Sequence, residues 1–229
     1  MLLTGAWPAD EPGKRRARML FAVLYGKDAA ADDTACIALL AGQPTVRAEL
    51  AALIPVLRAR NATLADPAQL TPDNPLALHE RYLGVELSVA FDQRTATGVF
   101  RDYYTGVERT GGGAYDLLFV TLEKSAATKE HLKYRDFALN AERFHWQSKA
   151  RTRRDSLDGR RLLDPIGAGC TALLLVRERD DERPGITMAF RYLGPVHPDG
   201  DHGERPISIE WALRHPMPNA LAQAGRIAV

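Results

Sequence analysis

The chain has little cysteine, little net charge and no long apolar run, and each absence narrows its class. Its two cysteines, Cys36 and Cys170, are far apart in apolar surroundings. This pattern fits neither a zinc site nor a disulfide framework and predicts a cytoplasmic protein. No apolar run reaches membrane-spanning length, and Gly-Ala-Trp-Pro at 5–8 interrupts the order of a signal peptide. The net charge of +1 over 229 residues confines any basic surface to a local patch.

Catalytic signatures are missing as well. The chain contains no Gly-x-x-x-x-Gly-Lys-Ser/Thr loop for nucleotide phosphates and no Gly-x-Ser-x-Gly elbow for a serine nucleophile. We therefore expect no catalytic residue, no metal and no cofactor. One alternative is a cryptic metal-dependent nuclease, which needs carboxylates gathered by the fold. Its candidates are Asp116, Glu123, Asp136 and Glu178.

The first part of the chain is rich in Ala and Leu, and its apolar side chains recur at helical spacing. The predicted helices are 14–26, a short helix capped by Asp32 or Asp33 that ends near Gly42, 44–60 with Pro55 as a kink or early end, and 75–91. Residues 61–74 contain two prolines and predict a linker. We therefore expect a helical segment and linker at 1–74.

The second part has short apolar or alternating runs separated by turns rich in Gly and Pro, which is typical of strands. The runs are 99–104, 116–122, 141–148, 171–176, 186–193 and 207–213. About six such strands indicate a small, mostly antiparallel β-barrel. The predicted fold class is therefore α+β, with an N-terminal helical segment followed by a β-barrel domain at 75–229.

The most informative stretch is Phe-His-Trp-Gln-Ser-Lys-Ala-Arg at 144–151. Successive side chains of a strand point to opposite faces, so Phe144 and Trp146 share a face that suits a core. The other face and the loop after it offer hydrogen-bonding groups and cations, which suit nucleic acid. The predicted DNA contacts are His145, Trp146, Gln147, Lys149, Arg151, Arg153, Arg154, Arg160 and Arg161. The alternative is an amphipathic strand followed by a solvated charged loop.

A series of short blocks follows in order along the second part of the chain. They are Leu-Phe-Val-Thr-Leu-Glu-Lys-Ser at 118–125, Tyr-Arg-Asp-Phe-Ala at 134–138, Phe-His-Trp-Gln-Ser at 144–148, Leu-Leu-Val-Arg-Glu at 174–178, Tyr-Leu-Gly-Pro at 192–195, Arg-Pro-Ile-Ser-Ile-Glu-Trp at 205–211 and His-Pro-Met-Pro at 215–218. The series resembles the domain of unknown function numbered 3427, which occurs at the C-terminus of bacterial superfamily-II DEAD/DEAH-type helicases and restriction-type proteins.

The resemblance covers about residues 80–218 and implies an accessory role on DNA in restriction, phage defence or repair. It implies duplex DNA, plain or modified, as a partner, together with a helicase or nuclease subunit. The family's motor and nuclease motifs are missing, so the resemblance implies no catalytic mechanism. Barrels fused to restriction nucleases supply an analogy for the fold, a PUA-like or B3-like pseudobarrel.

In this hypothesis the loop cations contact phosphates and make the affinity salt-dependent. Gln147 matches the edge of an adenine, and His145 donates to a base or phosphate. Trp146 either stacks on a flipped, modified base or packs in the core. Tyr103, Tyr104 and Tyr134 are further stacking candidates. A separate alternative is a protein-docking module that uses the N-terminal helices, where the basic cluster is Lys14, Arg15, Arg16 and Arg18.

Overall fold

The computed structural model of the protein describes residues 7–61, 74–101, 106–123 and 136–225. These residues divide into two compact units. The helical unit draws on Met1–Leu78 and Gly84–Tyr103, and the sheet unit draws on His79–Leu83 and Tyr104–Val229. Residues 62–73 of the predicted linker, the end of the predicted strand at 99–104, and the stacking candidates Tyr103, Tyr104 and Tyr134 lie outside the described residues.

The helical unit confirms the three helices predicted before residue 61. Its described helices are α1 Glu11–Tyr25, α2 Lys27–Ala30, α3 Asp33–Ala41, α4 Pro44–Asn61 and α5 Gly84–Ala90. Asp10 caps α1 by accepting the backbone N–H of Gly13 at 2.7 Å, and Asp32 caps α3, because both side chains satisfy N–H groups that have no partner within the helix. Pro55 lies inside α4, which continues to Asn61, so the proline does not end the helix.

No single described helix is long and apolar enough to cross a membrane. The pair α3 and α4 meets the length and composition requirements only when taken together, and it is bent by 97°.

The predicted helix at 75–91 is wrong in its first part. Residues Arg81–Tyr82 form strand β1 and pair with residues 190–191. His79 has a φ of 64°, which is outside the helical region, and its backbone N–H donates to the Tyr192 carbonyl at 2.8 Å. Pairing with a distant strand therefore overrides the local apolar spacing.

The sheet unit is built on one large sheet. Its further strands are β2 Gly106–Arg109, β3 Tyr115–Glu123, β4 Phe137–Ala138, β5 Arg143–Gln147, β6 Thr171–Arg179, β7 Asp181–Arg183, β8 Ile186–Thr187, β9 Phe190–His202 and β10 Ser208–Leu213, with helices α6 Leu157–Leu163 and α7 Asn219–Ala224. The strand order is β2-β3-β6-β9-β10-β5-β4, with β1 paired to β9, while β7 and β8 form a separate hairpin. β3 and β6 are parallel, and the other described pairings of the large sheet are antiparallel.

The core of the sheet unit lies on one face of the sheet. It takes side chains from β3, β5, β6, β9 and β10 and from helices α6 and α7. Strand β3 is also covered on its other face, since Leu117 and Leu118 point to opposite faces and both are fully buried. Burial on both faces explains why β3 and β6 have continuous apolar sequences instead of alternating ones.

The predicted α+β class, with an N-terminal helical segment and a large sheet, is confirmed. The predicted barrel is not confirmed. β2 and β4 are at the two ends of the strand order, and no pairing joins them among the described residues. The sheet is nevertheless strongly curled, because Val107 of β2 and Trp146 of β5 line the same cavity although four strands separate them in the order.

Candidate nucleic-acid interface

Strand β5 places its two aromatic side chains in the core. β5 lies between β4 and β10, and Phe144 and Trp146 are 1% and 3% exposed. The Trp146 ring meets the Trp211 ring edge-to-face, with 6.3 Å between the ring centroids. Trp146 therefore packs in the core, which was the predicted alternative to base stacking.

The other face of β5 is polar but mostly covered. His145 is 9% exposed, and its ring stacks on Phe137 with 4.6 Å between the centroids. Gln147 donates from Nε2 to Ser208 Oγ at 3.2 Å, and Ser208 is its register partner on β10. Contact of His145 or Gln147 with a base edge would require each side chain to leave its partner.

A charged loop follows β5, and Ser148 anchors its start. The Ser148 N–H donates to the Ile207 carbonyl at 2.9 Å, and the Ile207 N–H donates to Ser148 Oγ at 2.9 Å. Ser148 is fully buried, so water does not compete for these bonds. The loop then turns, with the Thr152 N–H donating to the Lys149 carbonyl at 2.9 Å, and the side chains of Lys149 and Arg151 are exposed.

Helix α6 closes the loop at close range. The Ser156 side chain caps the helix by accepting the Gly159 N–H at 3.1 Å. A Cβ placed on Gly159 would lie 1.9 Å from the Arg153 carbonyl oxygen, so only glycine permits this approach. The loop and the first turn of α6 thus pack backbone against backbone, which fixes the positions of the cations on both.

Two arginines of the loop have acidic partners near the surface. Arg153 donates from Nε and Nη2 to the two carboxylate oxygens of Asp155, each at 2.9 Å. Arg154 bonds to Asp201 and to the Gly203 carbonyl at 3.4 Å, which joins the loop to the end of β9. Exposed pairs of this kind contribute little to stability, so a phosphate can replace the carboxylate.

Arg161 has a buried role. Its Nε and Nη2 donate to the two oxygens of Asp116 at 2.9 Å each, and Nη2 also donates to the Gly113 carbonyl at 2.8 Å. The Arg161 and Asp116 side chains are 9% and 4% exposed, and the hydrogen bonds to Asp116 raise the pKa of Arg161. Arg161 was expected among the phosphate contacts, but the structure holds its guanidinium inside, where it ties α6 to β3.

Three cations of this region remain exposed and unpaired. They are Lys149 and Arg151 of the loop and Arg160 of α6. None of the three side chains makes an ion pair or a hydrogen bond to another described residue. The loop and α6 therefore present positive charge with no direct ion-pair partner within the described part of the chain, although Arg160 still interacts electrostatically with Asp155.

A small cavity opens beside these cations. It has a volume of about 70 Å³ and is lined by Val107, Arg109, Asp116, Trp146, Lys149, Thr152, Asp158 and Leu162. Arg109 of β2 donates from Nη2 to Asp158 Oδ1 of α6 at 2.9 Å. A space of this size holds about two water molecules, which is too little for a nucleobase.

The family model described as Domain of unknown function (DUF3427) matches residues 99–224. The chain belongs to the DUF3427 family. No curated protein matches the chain. The resemblance to the numbered domain is thereby confirmed. The DUF3427 domain contains β5, the charged loop, α6 and all residues that line the small cavity.

The carboxylates of the nuclease alternative are dispersed or engaged in the DUF3427 domain. Asp116 is held by an arginine, and Asp136 accepts the backbone N–H of Gln147 at 3.0 Å. Glu178 lies 4.0 Å from Arg81. Across the described ranges, no three or more His, Cys, Asp or Glu side chains are grouped to hold a metal ion.

A larger cavity, of about 530 Å³, lies where the DUF3427 domain passes from α6 to β6 and β9. Its walls are mainly apolar and include Pro165, Pro195 and Pro198. The acid in its lining, Asp164, already accepts the Gly167 N–H at 2.9 Å. Because its walls are mainly apolar and its one arginine, Arg214, is accompanied by Asp164, this cavity offers a polyanion no arginine–lysine pair of the kind found in the small cavity.

The sequence pattern missed Arg109, Thr152 and Asp158 as members of the charged site. Arg109 is 40 or more positions before the loop in the sequence, and only the curl of the sheet brings β2 to it. In the sequence, Asp158 is indistinguishable from any acidic residue in the first turn of a helix. A signal for these residues exists only in three dimensions.

Proposed function

We propose that the DUF3427 domain of this chain is a DNA-binding module that holds duplex DNA through its phosphates. The proposal depends on one observation, the exposed and unpaired side chains of Lys149, Arg151 and Arg160. Such cations neutralise phosphates and release counterions, which favours binding at low salt. Because the net charge of the chain is only +1, the attraction is confined to this patch.

Arg153 and Arg154 extend the patch as secondary contacts. Each is now paired with an acid at the surface, and exchange of that acid for a phosphate costs little because exposed ion pairs are weak. Arg161 supports the patch from below by holding α6 on β3.

Phosphate contacts position a protein on DNA but carry no sequence information. We therefore propose a positioning surface first. Base reading by His145 and Gln147 is an extension that requires release of the Phe137 and Ser208 contacts. Trp146 contributes to the core that supports the strand, since it packs on Trp211.

The biological setting of the proposal rests on the family resemblance. The resemblance implies an association with bacterial superfamily-II helicases, and on that basis we propose an accessory, non-catalytic role in a cytoplasmic helicase, restriction or phage-defence system acting on plain or modified DNA.

The test is fluorescence anisotropy with labelled duplex and single-stranded DNA, plain and base-modified, over a salt series. The triple variant K149A/R151A/R160A removes the unpaired cations. The variant R58A/R60A/R183A is the matched control, because it removes the same charge from exposed positions elsewhere on the chain.

We expect the wild-type chain and the control to bind with similar salt dependence. If each of the three cations contacts one phosphate of duplex DNA, the slope of log K against log salt becomes shallower by about 2.7 in K149A/R151A/R160A. When the salt concentration rises from about 50 to about 200 mM, the affinity of the wild type should therefore fall by a factor about 40 times larger than the factor by which the affinity of the variant falls. Equal binding by the two triple variants would contradict the proposal, as would absence of binding by the wild type at low salt.

A second candidate function, docking of a helicase or nuclease subunit, is favoured by α4. Leu53, Val56 and Leu57 of this helix are 51%, 64% and 48% exposed, and exposed apolar side chains grouped on one element often mark a protein interface. Co-purification with such a subunit after nuclease treatment should be lost in V56E/L57E and retained in K149A/R151A/R160A.

A further inference from the structure

The small cavity beside the charged loop brings together two cations from separate elements. Arg109 is on β2, and Lys149 is on the loop after β5. The Lys149 side chain passes close to the start of β2, where a Cβ placed on Gly106 would lie 3.5 Å from Lys149 Cε. Thr152 adds a hydroxyl to the same lining. Two cations and a hydroxyl around a small space are the groups that bind a phosphate.

The two acids of the cavity have different roles. Asp116 is 4% exposed and accepts hydrogen bonds from Arg161 Nε and Nη2 at 2.9 Å each, so its charge is already compensated there. Asp116 also lies 3.6 Å from Arg109 Nε, at a longer distance than the contact of Asp158 with the same arginine. Asp158 is 69% exposed and contacts Arg109 Nη2 at 2.9 Å. Asp158 is thus a surface carboxylate that binds Arg109, the same cation that an incoming anion would bind.

We propose that this cavity is a subsite for one backbone phosphate of DNA, and that Asp158 occupies Arg109 until the phosphate displaces it. The phosphate would lie between Arg109 and Lys149, with Thr152 as a further donor. This inference rests on the proposed function. It assigns one phosphate contact jointly to Lys149, which the sequence pattern identified, and to Arg109 and Thr152, which it did not.

The size of the cavity fits this ligand. Its volume of about 70 Å³ is about that of two water molecules. The two non-bridging oxygens of a phosphodiester can occupy this volume. A nucleobase does not fit. Trp146 also lines the cavity.

The exchange of Asp158 for phosphate is favourable because the pair it replaces is exposed. Arg109 is 38% exposed in that pair, and solvent weakens the attraction between the two side chains. A DNA phosphate is an anion comparable to the Asp158 carboxylate. The neighbouring phosphates of the same backbone contact the unpaired cations of the loop at the same time, which strengthens the overall binding.

The decisive variant is Asp158→Asn, which keeps the shape of the side chain and removes the competing charge. We expect D158N to bind duplex DNA up to about fivefold more tightly at low salt, the factor that corresponds to the upper range for an exposed ion pair. The matched control is Glu182→Gln, which makes the same change in net charge at an exposed position of β7 outside the cavity. Arg109→Gln should bind more weakly, with a salt slope shallower by about 0.9.

A readout without DNA separates this inference from the proposed function. Inorganic phosphate, compared with chloride at equal ionic strength, should raise the melting temperature of D158N more than that of E182Q, and it should have no such effect on the double variant R109Q/D158N. Melting curves of all variants in chloride alone show whether each one is folded.

The outcomes are distinct. Tighter DNA binding by D158N than by E182Q, with weaker binding by R109Q, supports the subsite. Equal binding by D158N and E182Q, while K149A/R151A/R160A loses binding, overturns the subsite and leaves the proposed function intact. If no variant binds DNA, the proposed function fails, and the phosphate-dependent melting of D158N then decides whether the cavity is an anion site.

Discussion

The buried pair of Arg161 and Asp116 gives a sharp prediction about stability. Replacing Asp116 by Asn keeps the shape of the side chain and removes its charge, which leaves the buried Arg161 guanidinium without the carboxylate that binds it directly. Removal of one partner from a buried ion pair typically costs about 3–5 kcal/mol. The lower part of that range applies here, since the Gly113 carbonyl still accepts one hydrogen bond from Arg161. We therefore expect D116N to lose about 3 kcal/mol of unfolding free energy.

The assay is urea denaturation followed by tryptophan fluorescence in a Trp7→Phe background. The remaining tryptophans, Trp146 and Trp211, both lie in the core of the sheet unit, so the signal reports on that unit. At an m value of about 2 kcal/mol per M, a loss of about 3 kcal/mol lowers the midpoint by about 1.5 M. Asp158→Asn is the control, because breaking an exposed pair costs at most about 1 kcal/mol.

A double-mutant cycle separates the pair from simple truncation. Arg161→Met should be similarly damaging, because the buried Asp116 then loses both hydrogen bonds from Arg161 and is left with the partly exposed Arg109, 3.6 Å away, as its cation. The double variant D116N/R161M has neither charge and should be more stable than the sum of the two losses predicts. A midpoint shift for D116N no larger than that for D158N would refute the reasoning, as would strict additivity in the cycle.

Three further predictions concern pH, thiol reactivity and close packing. Burial lowers the pKa of His79, so below a pH of about 6.5 the unfolded chain binds the proton more tightly than the folded chain. The stability present above that pH should therefore be lost as the pH falls through the pKa of His79 in the folded chain. The change in urea midpoint between pH 7.5 and 5.5 should be smaller in His79→Gln than in the wild type. An equal change in the two proteins would contradict this prediction. Burial raises the pKa of Cys36 to about 11, so a chromogenic disulfide reagent at pH 8 should label this thiol only after denaturation, and labelling of the folded chain within minutes would be inconsistent with it. Gly159→Ala places a methyl group against the Arg153 carbonyl and should lower the free energy of unfolding by about 1–3 kcal/mol, whereas Gly200→Ala, where the site is open, should leave it nearly unchanged; similar urea midpoints for the two variants would argue against the packing model.

The elements that local patterns determine were predicted well. The helix cap at Asp32 satisfies N–H groups within a few residues, so composition near that helix start is informative. The apolar runs of β3 and β6 are buried on both faces, and such runs can be recognised without knowing their neighbours. The failures arise where a distant partner decides the outcome. The residues of β1 fit a helical pattern in the sequence, but they form a strand because they pair with β9, about 110 positions away.

The candidate site divides in the same way. The sequence identified the charged loop because its cations are consecutive or nearly so, and Lys149 and Arg151 are exposed as a loop of this composition requires. It also placed Arg161 with them, because nothing local distinguishes an arginine that points to solvent from one that meets Asp116, 45 positions earlier. Arg109 joins the site only through the curvature of the sheet, which no periodicity encodes.

The parallel pairing of β3 and β6 has a consequence for how the charged surface comes into existence. Tyr115 pairs with Thr171, and the chain between these two strands contains β5, the loop and α6. The charged surface therefore lies within a chain segment whose two ends come together only when β3 and β6 pair. We expect this pairing to form late in folding, because closing a long loop costs entropy. A partly folded chain would have the same cations but no fixed arrangement of them. Binding of DNA should thus appear only with the complete sheet, and recovery of binding during refolding would be a measure of when β3 and β6 join.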